Sequence, residues 1–309
     1  MAKSLVEEVV LEIINDSQVE PRRLQVILRL VSDLPASTKE EIFQLAQLPV
    51  LLDNVPDVPK NLLLASENTY KHAVDCRQVS ENNDKTLSLH VEPEYITTMP
   101  AFRDHMRQVL LGITDITQPN HVFNLFSAWY AVQNERILHE LVYEECCIAF
   151  TTDLPAYAFK SKDRAFNTTK LNGWHKWAEF LGLGWTIKIG SHSILVPDAT
   201  KRVGAILPEI LSNTEEIRFG IFMERLAIVC PELDGGKLFR YCWQASRGEE
   251  VQGNRLSLML STALRSLATL RTIELFNKAD SLDVWQLYPS QGSLYQQVTH
   301  IRLHGGVGL

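Results

Sequence analysis

The stretch from Lys170 to Pro197 restricts the fold of this chain more than any other segment. Apolar residues recur at helical spacing near its start, at Leu171, Trp174, Ala178 and Leu181. Gly182 and Gly184 favour the end of that helix. The apolar residues then alternate as in a half-buried strand, at Trp185, Ile187 and Ile189. Because Gly190 and Ser191 favour a turn, the sequence predicts a helix followed by a β-hairpin.

A helix followed by a two-stranded wing is typical of winged-helix domains, a variety of helix-turn-helix. Two other segments share this layout. In one, several N-terminal helices precede an alternating run at Leu87, Leu89 and Val91. In the other, a helix with an apolar stripe from Leu256 to Leu267 precedes two strand-like runs, TIELF and DVWQLYP. We expect a mainly α fold with small β-hairpins, organised as tandem winged-helix-like units.

A chain of 309 residues can bury two or three hydrophobic cores. A new helical section begins at Pro100, which indicates a domain boundary near residues 93–100. The predicted domains are a helical, winged-helix-like domain over residues 1–97, a central helical domain ending in a helix plus wing over residues 98–198, and a winged-helix-like domain over residues 199–309.

The N-terminal domain contains predicted helices on both sides of Pro21. One apolar stripe runs from Leu5 to Ile13, and a second follows at Leu24, Ile27, Leu28 and Val31. Ser37 stands three residues before Glu40, which is the spacing of a capping box at the start of a third helix. The prolines between residues 49 and 59 predict a rigid connector.

Two helix starts are predicted after the Lys170–Pro197 stretch. Asp198 is the expected N-cap of a helix that runs to about Leu207, before Pro208 interrupts it. Thr214 is the expected cap of a second helix, which carries Ile217 and ends at Pro231.

The overall charge of −7 argues against a surface that is basic throughout, as broad nucleic-acid binding would require. The chain has five cysteines, an odd number, and none of them has Cys-x-x-Cys spacing. We therefore expect reduced, buried cysteines rather than disulfides or a zinc site. The N-terminus resembles no signal peptide, because glutamates interrupt its apolar run. These features favour a cytoplasmic protein.

The sequence contains no phosphate-binding loop, no nucleophile elbow and no zinc-protease motif. His175 falls on the polar side of its helix, so we expect it to be solvated, and Asp198 is expected to cap a helix rather than bind Mg²⁺. Cys146 and Cys147 are interpreted as buried hydrophobes, and Asp234-Gly235-Gly236 as a turn. We expect no enzymatic activity, no cofactor and no metal.

Two basic clusters are the positive functional signal of the sequence. They fall on helix-plus-wing segments, where a recognition helix and its wing would contact DNA. An ordinary solvated surface is the alternative interpretation. The candidate nucleic-acid-binding residues are Lys160, Lys162, Arg164, Lys170, Lys176, Lys188, Arg255, Arg265 and Arg271. The tryptophans near Gly182 are expected to close a core rather than stack on bases.

Four spaced patterns resemble the DpdG proteins, which are encoded with bacterial systems that insert 7-deazaguanine bases into DNA and restrict unmodified DNA. They are FNLFSAWYAVQNE, FNTTKLNGWHKWAEFLGLGW, ILVPDATKRVGAILPEIL, and the Leu-rich helix from Leu256 that precedes DVWQLYP. The resemblance covers roughly residues 100–300, and none of the patterns is a catalytic motif. It implies a cytosolic accessory component of a DNA-modification or phage-defence cluster that acts beside separate enzymes.

From these observations we expect a non-catalytic adaptor subunit of a prokaryotic DNA-modification or anti-phage defence complex. Its expected partners are other protein subunits of that system and double-stranded DNA, with no membrane. Two alternatives remain open at this stage. One is a stand-alone winged-helix transcriptional regulator, which requires a symmetric dimer surface. The other is a Mg²⁺-dependent nuclease.

Overall fold

A computed structural model describes residues 12–46, 62–159, 166–190, 192–211, 216–249, 253–290, 292 and 295–304. The predicted fold class is confirmed to the extent that the protein is mainly helical with small antiparallel hairpins. The apolar stripes from Leu5 to Val10 and the proline-rich connector lie outside the described residues, as does Thr214. Ile13 lies in a buried turn rather than in a helix.

The N-terminal part packs three helices against a short hairpin. The elements are α1 (Pro21–Asp33), α2 (Lys39–Ala46), α3 (Leu62–Asp75), β1 (Val79–Glu81) and β2 (Leu87–Leu89), with β1 antiparallel to β2. The stripe predicted for α1 is buried at Leu24, Ile27, Leu28 and Val31. The predicted capping box is displaced by one residue. Thr38, not Ser37, exchanges hydrogen bonds with the side chain and N–H of Glu41.

The central part consists of helices followed by the predicted hairpin. Its elements are α4 (Pro93–Thr97), α5 (Met99–Leu110), α6 (His121–Gln133), α7 (Arg136–His139), α8 (Glu144–Asp153), a 3-10 turn (Ala156–Ala158), α9 (Thr168–Leu181), β3 (Gly184–Ile189) and β4 (His192–Pro197). Gly182 ends α9 with φ of 90°, a value that favours glycine. The helix and hairpin predicted for Lys170–Pro197 are therefore confirmed.

The C-terminal part alternates helices with short strands. Its elements are α10 (Thr200–Ile210), β5 (Ile217–Arg218), α11 (Phe219–Val229), α12 (Lys237–Arg247), α13 (Leu258–Thr269), β6 (Ile273–Phe276), β7 (Trp285–Gln286), β8 (Gln297–Val298) and β9 (His300–Leu303). Two helix limits differ from the prediction: α10 continues through Pro208, and Ile217 lies in a strand before α11 begins. The predicted N-cap is wrong by one residue, because Ala199 and not Asp198 is the N-cap of α10. Asp198 still supports the start of the helix, since its Oδ1 accepts from the Thr200 N–H at 2.9 Å.

The predicted third wing is wrong. TIELF forms β6 and DVWQLYP contains β7, but these strands do not pair with each other. β6 pairs with β9, which also pairs with β5 in a three-stranded antiparallel sheet, while β7 pairs with β8. Both pairing partners, β8 and β9, lie in the segment 297–303, which follows the two runs in the chain. Neither run therefore pairs across a tight turn with the other.

Helix α6 is the centre of the protein. It is apolar on all sides, and its residues from Phe123 to Gln133 are buried, as expected for a helix enclosed by other elements. Polar side-chain atoms in this core form hydrogen bonds. Trp174 Nε1 donates to Ser127 Oγ at 2.9 Å, and the Tyr130 hydroxyl donates to the Leu195 carbonyl at 2.6 Å. Through Tyr130, α6 holds β4 in place.

The tryptophans at the start of the helix-hairpin stretch close this core, as the sequence predicts. Trp174 and Trp177 are fully buried. For Trp185 on β3 the same prediction is wrong, because this side chain is 48% exposed. A side chain at Gly173 would place its Cβ 2.9 Å from the Ile14 carbonyl oxygen, so glycine permits the close approach of the chain at Ile14. A single hydrophobic cluster extends from Ile13 to Ile301, and the three predicted domains remain predictions.

Candidate nucleic-acid interface

The nine basic residues predicted to contact nucleic acid have different environments. Lys160, Lys162 and Arg164 lie outside the described residues. Lys170 is only 9% exposed. Lys176 Nζ lies 2.5 Å from Glu20 Oε1 and donates to the Ser17 carbonyl at 2.8 Å, so it joins α9 to the start of α1.

Arg265 connects α13 to the C-terminal loops. Its Nη2 donates to the Tyr288 carbonyl at 2.7 Å and to the Tyr295 carbonyl at 3.0 Å. Partial burial lowers the pKa of this guanidinium. Contact of Arg265 with nucleic acid stays a prediction, and its two carbonyl partners compete with that contact.

The side chains of Lys188, Arg255 and Arg271 are exposed and form no hydrogen bond or ion pair with the residues that the structure describes. Lys188 projects from β3 in the hairpin. Arg255 and Arg271 lie just before and just after α13, a helix that is about 18 Å long at 1.5 Å per residue. The two arginines therefore lie at opposite ends of α13.

Arg271 lies at the β6 edge of the three-stranded sheet, where it lines a groove with Glu274, Phe276 and His304. In the register of this sheet, His300 stands between Arg218 and Phe276, and Arg302 stands opposite Glu274. The alternate residues Leu275 and Ile301 face the core. We call the outer set, Arg218, Arg271, His300, Arg302 and His304, the C-terminal basic face.

Two carboxylates lie at or beside this face. Glu216 forms an ion pair with Lys278, and this hydrogen bond, followed by the charges of Lys278, His300 and Arg302, lowers its pKa. Glu274 pairs with His304 Nδ1 at 2.7 Å and with Arg302 Nη2 at 2.5 Å. These hydrogen bonds, first from His304 and then from Arg302, lower the pKa of Glu274. Arg302 also lies over the Phe276 ring, 5.3 Å from its centroid. Arg218 and Arg271 are exposed and have no acidic partner among the described residues.

Sequence reasoning missed Arg218, Arg302 and His304. Arg218 lies in a two-residue strand within a segment that the sequence assigns to a helix, and β9 has no counterpart among the predicted elements. The alternation of Ile301 and Leu303 with His300 and Arg302 is a weak strand signal that could have found β9. The adjacency of Arg218 to His300 arises only from strand pairing.

Arg255 lines a second feature, a cleft of about 400 Å³ between α12 and the segment around β7. Its floor is apolar, its walls are aromatic and its rim is polar. We call it the Trp243 cleft, and its main lining residues are Trp243, Arg255, Leu256, Gln286, Leu287 and Tyr288. A groove of about 500 Å³ adjoins it on the other side of Gln286 and Leu287.

Other candidate reactive groups are shielded by the core. His175 is only 8% exposed, so the expectation that it is solvated is wrong, and burial lowers its pKa to about 4. Cys146 and Cys147 are buried, and burial raises the pKa of both thiols. In the described part of the chain, no group of three His, Cys, Asp or Glu side chains is arranged to hold a metal ion. No described helix is both long and apolar enough to cross a bilayer.

Comparisons with known proteins agree with the resemblance noted in the sequence. A family model described as DpdG-like matches residues 11–281. No curated protein and no solved structure matches the chain. The family match covers the helices α1 to α13, the β3–β4 hairpin and Arg218, Arg255, Arg265 and Arg271.

Proposed function

The chain belongs to the DpdG-like family, whose members are associated with DNA-modification clusters, and we propose that it is a non-catalytic accessory subunit that contacts DNA. In this proposal it acts in the cytoplasm as an adaptor between DNA and other protein subunits of the modification or anti-phage defence system. Duplex DNA is contacted through the C-terminal basic face. The winged-helix-like unit formed by α9, β3 and β4 makes a second contact through Lys188.

The observation that supports DNA contact most directly is the convergence of arginines on one exposed sheet face. Arg218 and Arg302 come from separate strands, and pairing of these strands brings both beside His300. Arg271 precedes β6 and lines a groove with Phe276 and His304. Arginines in such an arrangement can each neutralise a phosphate and release its counterion. The protein as a whole carries a charge of −7, so the rest of its surface is repelled by the phosphates of DNA. This repulsion favours the orientation in which the basic face contacts the duplex.

The adaptor role is supported by the distribution of buried ionisable groups. His175 and four of the five cysteines are buried, whereas Cys76 is partly exposed. The exposed sites that remain on the C-terminal part are rich in cations and amides rather than in acids paired for catalysis. Such surfaces suit binding and positioning.

Two measurements test this proposal. The tagged protein is purified from cells that contain its gene neighbourhood, with and without nuclease treatment. We expect protein subunits to remain bound after nuclease treatment. The purified chain is then titrated with labelled duplex DNA over a salt series and incubated with DNA and Mg²⁺. Loss of all partners after nuclease treatment refutes the adaptor role, salt-independent binding refutes phosphate contact, and Mg²⁺-dependent cutting by the purified chain refutes the non-catalytic assignment.

A further inference from the structure

The Trp243 cleft has the size and lining of a small-ligand site. Its volume of about 400 Å³ falls within the usual range for such sites, roughly 300–1,000 Å³. Leu256 and Leu287, which are 4% and 5% exposed, form an apolar floor. Trp243, Tyr288 and the ring of Pro289 supply flat apolar walls. A planar ring would fit these walls better than a branched aliphatic group.

The walls of the cleft are held in position by contacts outside it. The Tyr288 N–H donates to Ser261 Oγ at 2.7 Å, its carbonyl accepts from Arg265, and its hydroxyl donates to Glu135. The Trp243 ring stacks on Phe239 with centroids 6.1 Å apart, and Arg247 lies 5.7 Å from its centroid. Side chains that are already ordered lose little entropy when a ligand binds.

The polar groups around the cleft are mainly donors, and several have no partner in the described structure. Trp243 Nε1 is buried without a hydrogen-bond partner. Asn134 uses its Oδ1 to accept from the Leu258 N–H at 2.8 Å, which leaves its amide N–H groups free. The side chains of Gln286 and Arg255 are exposed and make no hydrogen bonds to described residues. A ligand that fits this set is rich in acceptors and carries negative charge.

The backbone at the cleft is also unusual. Asn134 has φ of 57° and ψ of −133°, a combination that strains the backbone of a non-glycine residue. Its Oδ1 supports the first turn of α13, so the strained residue presents its amide nitrogen at the cleft wall while it caps the helix. Strained residues of this kind concentrate at ligand sites.

From these observations we propose that the Trp243 cleft binds one nucleotide unit, with the base packed against Tyr288 and Pro289 beside the edge of Trp243 and the phosphate at Arg255. A nucleobase offers flat apolar faces to the aromatic walls and ring and carbonyl acceptors to Asn134 and Gln286. Its phosphate matches the free guanidinium of Arg255. The nucleotide belongs either to a DNA strand from which the base is turned outward or to a free mononucleotide. In the first case the inference deepens the proposed function and rests on it.

The test compares ligands that differ only in the base. A labelled single-stranded deoxyoligonucleotide of about 12 nucleotides, a typical site size for single strands, is titrated by fluorescence anisotropy beside an abasic strand of equal length. Each deoxynucleoside monophosphate is titrated by calorimetry. We expect the strand with bases to bind about tenfold more tightly than the abasic strand, since one stacked base is worth roughly that much. Equal binding of the two strands, together with no heat from any mononucleotide, overturns the inference.

Substitutions in and beside the cleft test whether the binding occurs there. Arg255→Ala and Gln286→Ala replace exposed side chains that have no hydrogen-bond partner among the described residues, so both proteins are expected to fold, and each should reduce the preference for the strand with bases. Gln244→Ala, on the exposed side of α12 next to Trp243, is the matched control and should leave it unchanged. Equal effects of all three substitutions, or none, count against the cleft.

A duplex titration separates this inference from the proposed function. If duplex binding through the C-terminal basic face persists in the cleft variants while base-dependent binding is lost, both proposals stand. If mononucleotides bind and duplex and single strands do not, the cleft takes free nucleotides and the DNA-contacting role fails. If duplex DNA binds in a salt-dependent manner and neither single strands nor mononucleotides show a base-dependent signal, the nucleotide site alone fails.

Discussion

Asp234 accepts two hydrogen bonds from Ser257, one from the main-chain N–H at 2.5 Å and one from the hydroxyl at 2.6 Å. Both residues are buried, at 3% exposure each. The contact ties the turn after α11 to the first turn of α13, where Ser257 Oγ also caps the Leu260 N–H at 3.2 Å. The turn Asp234-Gly235-Gly236, predicted from the sequence only as a turn, therefore supports the helix between Arg255 and Arg271.

The buried Asp234 should make stability depend on pH. Burial raises its pKa from 3.8 to about 6, and the hydrogen bonds from Ser257 oppose this rise. The folded chain thus retains a proton that the unfolded chain releases, so this contribution to stability is present below about pH 4 and is lost as the pH rises through about 6. A difference of this size between the folded and unfolded pKa is worth about 3 kcal/mol at most.

The measurement is urea unfolding of the wild type and Asp234→Asn between pH 4 and 7. Asparagine keeps an acceptor for the Ser257 N–H but cannot ionise, so the difference in unfolding free energy between the two proteins should change steadily over this range. Contributions from His72 and His175 cancel in the difference. A constant difference would contradict the assignment.

The buried pair of Arg202 and Glu232 should be costly to break. Arg202 Nε lies 2.9 Å from Glu232 Oε1, and the side chains are 6% and 0% exposed. Removing one partner of such a pair costs about 3–5 kcal/mol, because the other charge is left uncompensated in the core. We expect Glu232→Gln to lower the unfolding free energy by an amount in that range.

The double substitution of Arg202→Met with Glu232→Leu is the control for this pair. It removes both charges, so much of the lost stability should return, as an apolar replacement of a buried pair is often neutral. Additive losses in the double variant would show that the pair acts through its separate packing contacts instead.

We expect Arg265 to contribute mainly to the free energy of folding rather than to DNA binding. Replacing it with Met leaves the Tyr288 and Tyr295 carbonyls without their donor, at a cost of about 1–3 kcal/mol. Arg265→Lys should recover only part of this, because one ammonium cannot match the fork of a guanidinium. Thermal unfolding measures both effects. A DNA affinity that falls more than the folded fraction does would instead support the direct contact predicted from the sequence.

The C-terminal basic face should dominate the salt dependence of duplex binding. Arg218→Ala and Arg271→Ala remove exposed guanidinium groups that form no ion pair with the part of the chain that the structure describes, so each should reduce the slope of log K against log salt by about 1. Arg29→Ala, which removes an exposed arginine from α1 at the other end of the chain, is the matched control. If Arg29→Ala reduced the slope as much as Arg271→Ala, the duplex would not bind specifically at the C-terminal basic face.

Local patterns predicted single helices and strands well. The stripe at Leu24, Ile27, Leu28 and Val31 predicted the buried side of α1, and the glycines after Leu181 predicted the turn into β3. These predictions hold because periodicity and glycine preference act over a few residues. The same reasoning is wrong for His175. Helix phase places it on a polar side, but that side is covered by other parts of the chain.

The sequence by itself determined the helix and hairpin of Lys170–Pro197 and the helices on either side of it, because the free energy of a single element depends on nearby residues. Only the tertiary structure decided that TIELF pairs with residues 300–303 and not with DVWQLYP, that Arg218 and Arg302 share one face of the sheet, and that Arg271 lies at its β6 edge. Strand pairing and burial join residues that are distant in the chain, and their contacts depend on the whole core. For the same reason, Arg265 could be recognised as a structural group and Arg255 as the rim of a cleft only once their neighbours were known.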